Sequence, residues 1–97
     1  MSTGVLQVGL GNAGDKRVRC LLEMADVELV GVVESDPQAR EKAARWVAPD
    51  RVYDDLDAGL DRCRPDAVVI SPPPQFQAER TRHVLARGAH VLCEKPL

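Results

Sequence analysis

Short, almost wholly apolar runs alternate along this chain with stretches in which apolar residues return every three or four positions. The first run, Val5-Leu6-Gln7-Val8, predicts a strand that stops at a cluster of glycines. Val18, Leu21, Leu22 and Ala25 then recur at the i, i+3, i+4, i+7 spacing of a helix with one buried stripe. Val27 to Val33 is β-branched and nearly continuously apolar, as a strand covered on both faces should be. Asp36-Pro37 opens the next helix, with Asp36 as N-cap and Pro37 at the first helical position, where its missing N–H costs nothing. Ala39, Ala43, Trp46 and Val47 form its inner face. A short strand at Arg51 to Tyr53 and a helix burying Leu56, Leu60 and Cys63 follow. Ala67 to Ile70 is another buried strand, broken by Ser71-Pro72-Pro73-Pro74. The helix beyond it buries Ala78, Thr81, Val84 and Leu85 and stops at Gly88, and Ala89 to Cys93 makes the last strand.

Five strands with helices between them and short connections predict an α/β fold, a parallel sheet with right-handed crossovers and helices on both faces. A chain of 97 residues makes one domain with one core, and no repeat or linker divides it. The charge balance is near neutral, with 13 Lys+Arg against 15 Asp+Glu, so no basic footprint marks a nucleic-acid binder. Trp46, Tyr53 and Phe76 are too scattered to stack bases. Nucleic acid is thereby disfavoured as a partner. Cys20, Cys63 and Cys93 show no CxxC pairing and no histidine at metal-ligand spacing, so no metal site is expected. They read as small core residues, and an odd, unpaired count suits a reducing compartment. With no signal-peptide pattern and no apolar run near the roughly 18 residues that span a bilayer, the expectation is a cytoplasmic protein without a membrane partner.

Gly9-Leu10-Gly11-Asn12-Ala13-Gly14 carries the chemistry. A GxGxxG string alone is weak, but this one follows a predicted strand, opens a predicted helix, and is answered about twenty residues on by Glu34 at the end of the second strand. Gly9 allows the tight turn, Gly11 lets a pyrophosphate approach the backbone, and Gly14 permits close packing. The N–H groups of Asn12 and Ala13 face the phosphates at the positive end of the helix dipole. Glu34 accepts hydrogen bonds from the adenosine ribose, which favours NAD. A 2′-phosphate would meet repulsion of about 4 kcal/mol per charge at 4 Å in an effective dielectric of 20, which disfavours NADP. Ser35 is the neighbouring cofactor-binding candidate; it or a nearby arginine is the alternative receiver of that phosphate. Lys16, Arg17 and Arg19 read as solvated helix charges. His83 and His90 read as structural, without a ligand partner.

Asp66-Ala67-Val68-Val69-Ile70-Ser71-Pro72-Pro73 and Gly88-Ala89-His90-Val91-Leu92-Cys93-Glu94-Lys95-Pro96-Leu97 add a second signal. With the glycine loop and Val32 to Pro37, they make the whole chain resemble the N-terminal nucleotide-binding domain of the glucose-fructose oxidoreductase / inositol dehydrogenase (Gfo/Idh/MocA) family. That resemblance implies a Rossmann-like doubly wound sheet over residues 1–97. It also implies an NAD(P)-dependent oxidoreductase acting on sugars, polyols or related carbonyl and hydroxyl compounds by hydride transfer at nicotinamide C4. By position it makes Lys95 the catalytic residue, beside nicotinamide and substrate, where a cation stabilises the alkoxide left by hydride movement. Glu94 braces the nicotinamide ribose or the lysine, and Pro96 shapes the turn. Ser71, Pro72 and Pro73 wall the nicotinamide pocket. Here the chain departs from the family pattern, with Pro72 where threonine is usual and Gln77 in place of a histidine, so fewer polar groups remain at that corner.

Relatives of this kind continue past the Lys-Pro element into a second α/β domain that supplies the substrate contacts and the homo-oligomer interface. The small-molecule substrate is therefore expected to be held outside these residues. The other reading is a stand-alone nucleotide-binding module that senses or partners without catalysis.

Overall fold

The run that begins before Val5 becomes the central strand, and the rest of the architecture follows from its two neighbours. A computed structural model of the chain describes residues 2–71 and 77–93. In chain order it contains β1 (Thr3–Val8), α1 (Gly11–Leu22), β2 (Val27–Val33), α2 (Pro37–Ala43), a 3-10 turn at Pro49–Arg51 and β3 (Val52–Tyr53). These are followed by α3 (Leu56–Cys63), β4 (Ala67–Ile70), α4 (Gln77–Ala86) and β5 (His90–Cys93). The five strands form one parallel sheet in the order β3-β2-β1-β4-β5. From β1 the chain winds first to one side and then, through α3, crosses to the other. The loops after β1 and β4 therefore diverge and leave a crevice at the carboxyl ends of the strands.

Alternation of side chains along each strand sorts the core into two layers. Leu6 and Val8 of β1 share one face with Val68 and Ile70 of β4, covered by Leu60 of α3 and Val84 of α4. On the other face Val18 of α1 and Ala43 of α2 pack with Leu10 and Val32, and Leu21 packs on Val5 and Val69. Helices on both sides explain why β2 and β4 need apolar residues at nearly every position. Leu60 is 4% exposed at the centre of its layer, so truncation leaves a cavity that its neighbours fill only in part. Leu60→Ala should lower the unfolding free energy by about 2–4 kcal/mol, measurable by urea denaturation; a loss below 1 kcal/mol would contradict this packing.

The caps form as their residue types dictate. Asp36 Oδ1 accepts from Gln38 N at 3.2 Å, and Asp55 Oδ2 accepts from Ala58 N at 3.1 Å. Gly88 follows α4 with φ of 86°, in keeping with its expected role as terminator. Some apolar positions depart from the predicted stripes. Helix α1 ends at Leu22, leaving Ala25 exposed in a turn, and Leu22, Leu85 and Ala78 are exposed as well. Val18 with Leu21, and Val84, already occupy the available sheet surface; a residue one step further on is turned about 100° round the helix and leaves it. Cys20 is exposed and Cys63 half-buried, so the first is not the core residue that its type suggested. Trp46 and Val47 lie beyond the end of α2 yet still pack on its layer. Among the described residues no helix is long and apolar enough to cross a membrane.

Candidate cofactor site

Backbone bonds between neighbouring strands bring three loops to the crevice. Gly9 N donates to Val33 O at 2.8 Å, Glu34 N to Tyr53 O at 2.8 Å, and Ser71 N to Val8 O at 2.8 Å. A register shift between Val5 and Leu6 sets Gln7 opposite Val32 and Val8 opposite Val33, so Glu34 leaves β2 level with the glycine turn. Gly9 has φ of 88°, the left-handed region that costs glycine little and other residues more. At Gly14 an added Cβ would overlap the Gly9 carbonyl oxygen, lie 3.0 Å from its carbon and 3.4 Å from Gln7 Nε2. The turn is thus folded down against the first turn of α1.

That helix begins without a side-chain cap at Leu10 and without an acidic residue in its first turn. Its first-turn amides, at Gly11, Asn12 and Ala13, are therefore not taken up by a capping side chain of Leu10 or by an acid of the helix's own first turn. A diphosphate is the group such a turn accommodates, since backbone N–H groups supply the donors and no Cβ at Gly11 stands in the way.

Glu34 closes the other side. Its Oε1 accepts from Leu10 N at 2.7 Å and its Oε2 from Asp36 N at 3.0 Å, so the carboxylate is fixed between the glycine turn and the start of α2. Each oxygen still has acceptor capacity for a ribose hydroxyl. Arg40 Nη1 donates to the carbonyl oxygens of Glu34 at 3.0 Å and Ser35 at 2.9 Å, latching the corner that presents the acid. Ser35 is exposed beside it.

Beneath the turn lies Gln7, fully buried on the α1 side of β1. Its Nε2 donates to Gly9 O at 2.9 Å and to Ser71 Oγ at 3.2 Å, while Oε1 has no partner among the described residues. Burying such an acceptor unpaired costs about 1–3 kcal/mol. Neither Gln7 nor Arg40 was singled out by sequence pattern. The signal for Gln7 was its being the one polar residue in an apolar run; Arg40 offered none.

The structure thus brings Gly9, Gly11, Asn12, Ala13, Gly14 and Glu34 to one turn, joined through Gln7 to Ser71. Strand β5 runs parallel to β4 with Cys93 opposite Ile70, so it points toward the same end of the sheet as Ser71. Pro72, Pro73, Glu94, Lys95 and Pro96 lie outside the described residues. Elsewhere, His83 of α4 makes a structural contact, pairing with Asp57 of α3, and Arg87 bridges Asp57 and Asp61. Arg19 pairs with Asp15 at 3.4 Å. Burial, aided by the neighbouring Cys63 thiol, raises the Tyr53 phenol above its ordinary value of 10.0, so it stays neutral beside the β2–β3 end. Among the described residues no cluster of three or more His, Cys, Asp or Glu is placed to hold a metal.

A doubly wound parallel sheet with a glycine turn, an uncapped helix start and an acid on the second strand, all at the switch point, defines an NAD-binding Rossmann domain. Residues 3–97 match the model of the GFO/IDH/MocA oxidoreductase family, described as an NAD-binding Rossmann fold, and the chain belongs to that family. It is 39% identical over 101 residues to an inositol 2-dehydrogenase of Leifsonia xyli subsp. xyli, which covers 99% of this chain and 29% of the relative. It is 34% identical over 90 residues to the D-glucoside 3-dehydrogenase of Escherichia coli K12, covering 92% of this chain and 26% of that protein. Among solved structures, scyllo-inositol dehydrogenase from Lactobacillus casei with bound NAD(H) and scyllo-inositol superposes with a TM-score of 0.90 at 25% identity, over 99% of this chain and 28% of that one. The chain therefore spans less than a third of the length of these relatives.

Proposed function

We propose that this chain is the coenzyme-binding part of an NAD-dependent oxidoreductase that moves a hydride between nicotinamide and a hydroxyl-bearing carbon of a sugar or cyclic polyol. The observation that carries the reading is the joint placement of the Gly9–Gly14 turn and the Glu34 carboxylate, which share Leu10 N at 2.7 Å. When bound, NAD takes up or gives back the hydride at C4 of its nicotinamide ring. The chain's own residues divide the remaining work. Gly9, Gly11, Asn12, Ala13 and Gly14 hold the diphosphate, and Glu34 and Ser35 the adenosine ribose. Ser71, Pro72 and Pro73 wall the nicotinamide side, with Glu94 and Pro96 setting the position of Lys95. Lys95 gives or takes the proton at the reacting oxygen of the substrate. The sugar or polyol class is supported by what the inositol and glucoside dehydrogenases are named for acting on. Substrate contacts and association with further copies of the chain are assigned to parts of the protein beyond this domain. The free Cys20 and Cys63 thiols support a reducing, cytoplasmic setting.

Titrating the full chain with NADH and NADPH by nicotinamide fluorescence tests the reading. NADH should bind more tightly. Glu34→Ala should weaken NADH about tenfold through loss of the ribose acceptor and the turn's anchor, while NADPH changes little or improves. Tighter NADPH than NADH in the unaltered chain would overturn the assignment of Glu34.

A further inference from the structure

Gln7 occupies the place where topology divides the coenzyme site. It stands on β1, the strand from which the sheet winds both ways, two residues before the glycine turn. One carboxamide reaches both lips of the crevice. The two hydrogens of Nε2 serve Gly9 O at 2.9 Å on the β1 side and Ser71 Oγ at 3.2 Å on the β4 side. The Gly9 carbonyl can only accept, so it fixes which end of the amide faces the turn. Oε1 is consequently directed into the interior, where no described group donates to it. A methionine of similar volume would bury no such acceptor and would match the apolar strand, so stability alone does not account for a glutamine here.

We infer that Gln7 is a positioning residue that ties the Gly9–Gly14 turn to the Ser71 corner, holding the diphosphate and nicotinamide subsites at one spacing. This rests on the proposed function and deepens it. A dinucleotide has to engage both lips at once, whereas a mononucleotide engages the β1–β2 side alone. Loosening the tie therefore weakens the first and spares the second.

The test compares NADH and 5′-AMP binding to the full chain carrying Gln7→Met, Ser71→Ala or both, with thermal unfolding alongside. Gln7→Met should weaken NADH about tenfold, leave AMP within about twofold, and move Tm by no more than a few degrees. Because both variants break the same link, the double variant should bind NADH no more weakly than the poorer single variant, within about twofold. Equal losses for NADH and AMP, or losses that multiply in the double variant, would overturn the coupling. Should Gln7→Met not fold, Gln7→Asn, polar but too short to span both partners, gives the same NADH-against-AMP comparison. An unaltered chain that takes up no NADH overturns the proposed function itself, a result seen before any variant is made.

Discussion

Gly14→Ala loses NADH affinity by about a hundredfold or more, roughly 2.7 kcal/mol, and unfolds earlier by about 1–3 kcal/mol. The methyl group has nowhere to go. It meets the Gly9 carbonyl oxygen head-on, with that carbonyl's carbon 3.0 Å away and Gln7 Nε2 at 3.4 Å. The carbonyl cannot yield by rotating a side chain, because it is backbone, and its neighbour Gly9 N is held to Val33 O at 2.8 Å. Relief must come from lifting the turn off the helix, which moves the first-turn amides and breaks the Leu10 N to Glu34 bond that orients the acid. Both coenzyme subsites on the β1–β2 side are lost together. Fluorescence titration with NADH and urea unfolding measure the two effects, and retention of wild-type affinity would show that the turn does not grip the coenzyme.

For Lys95→Ala the expected result is the reverse split, with turnover of the whole protein reduced by about 10²–10⁴ and NADH binding changed by no more than a few fold. A positive donor at the reacting oxygen acts on charge that develops only as hydride moves, so its removal belongs in kcat rather than in coenzyme affinity. Lys95→Arg keeps the charge but not the proton chemistry, and it should recover only part of the rate. Undiminished turnover of Lys95→Ala with an inositol or glucoside substrate would remove the lysine from the mechanism.

Sequence pattern revealed the strands more fully than the burial of the helices. β2 and β4 fall where the β-branched runs at Val27–Val33 and Ala67–Ile70 placed them, because a strand covered on both faces has no polar alternation to blur its ends. Spacing alone extends the helix stripes to Leu22 and Leu85, which the fold leaves exposed, since spacing reports which residues share a side but not how much sheet lies beneath. In the site, the glycines and Glu34 were legible because each answers a local demand, a positive φ, a missing Cβ or a strand-end acid. The fixed carboxylate was not, since its partners Leu10 N and Asp36 N are backbone groups common to every residue type. Gln7 and Arg40 escaped for a related reason. Their importance lies in carbonyls that only the assembled loops bring within reach.

The position of β1 between β2 and β4 also sets when the cradle comes into being during synthesis. Its letters are spelled out by residue 14, yet the Gly9 amide waits for Val33, and Val8 and Gln7 wait for Ser71. Until the chain beyond Ser71 has cleared the ribosome, the nascent segment cannot capture its coenzyme, and the newborn domain has no ligand to steady it.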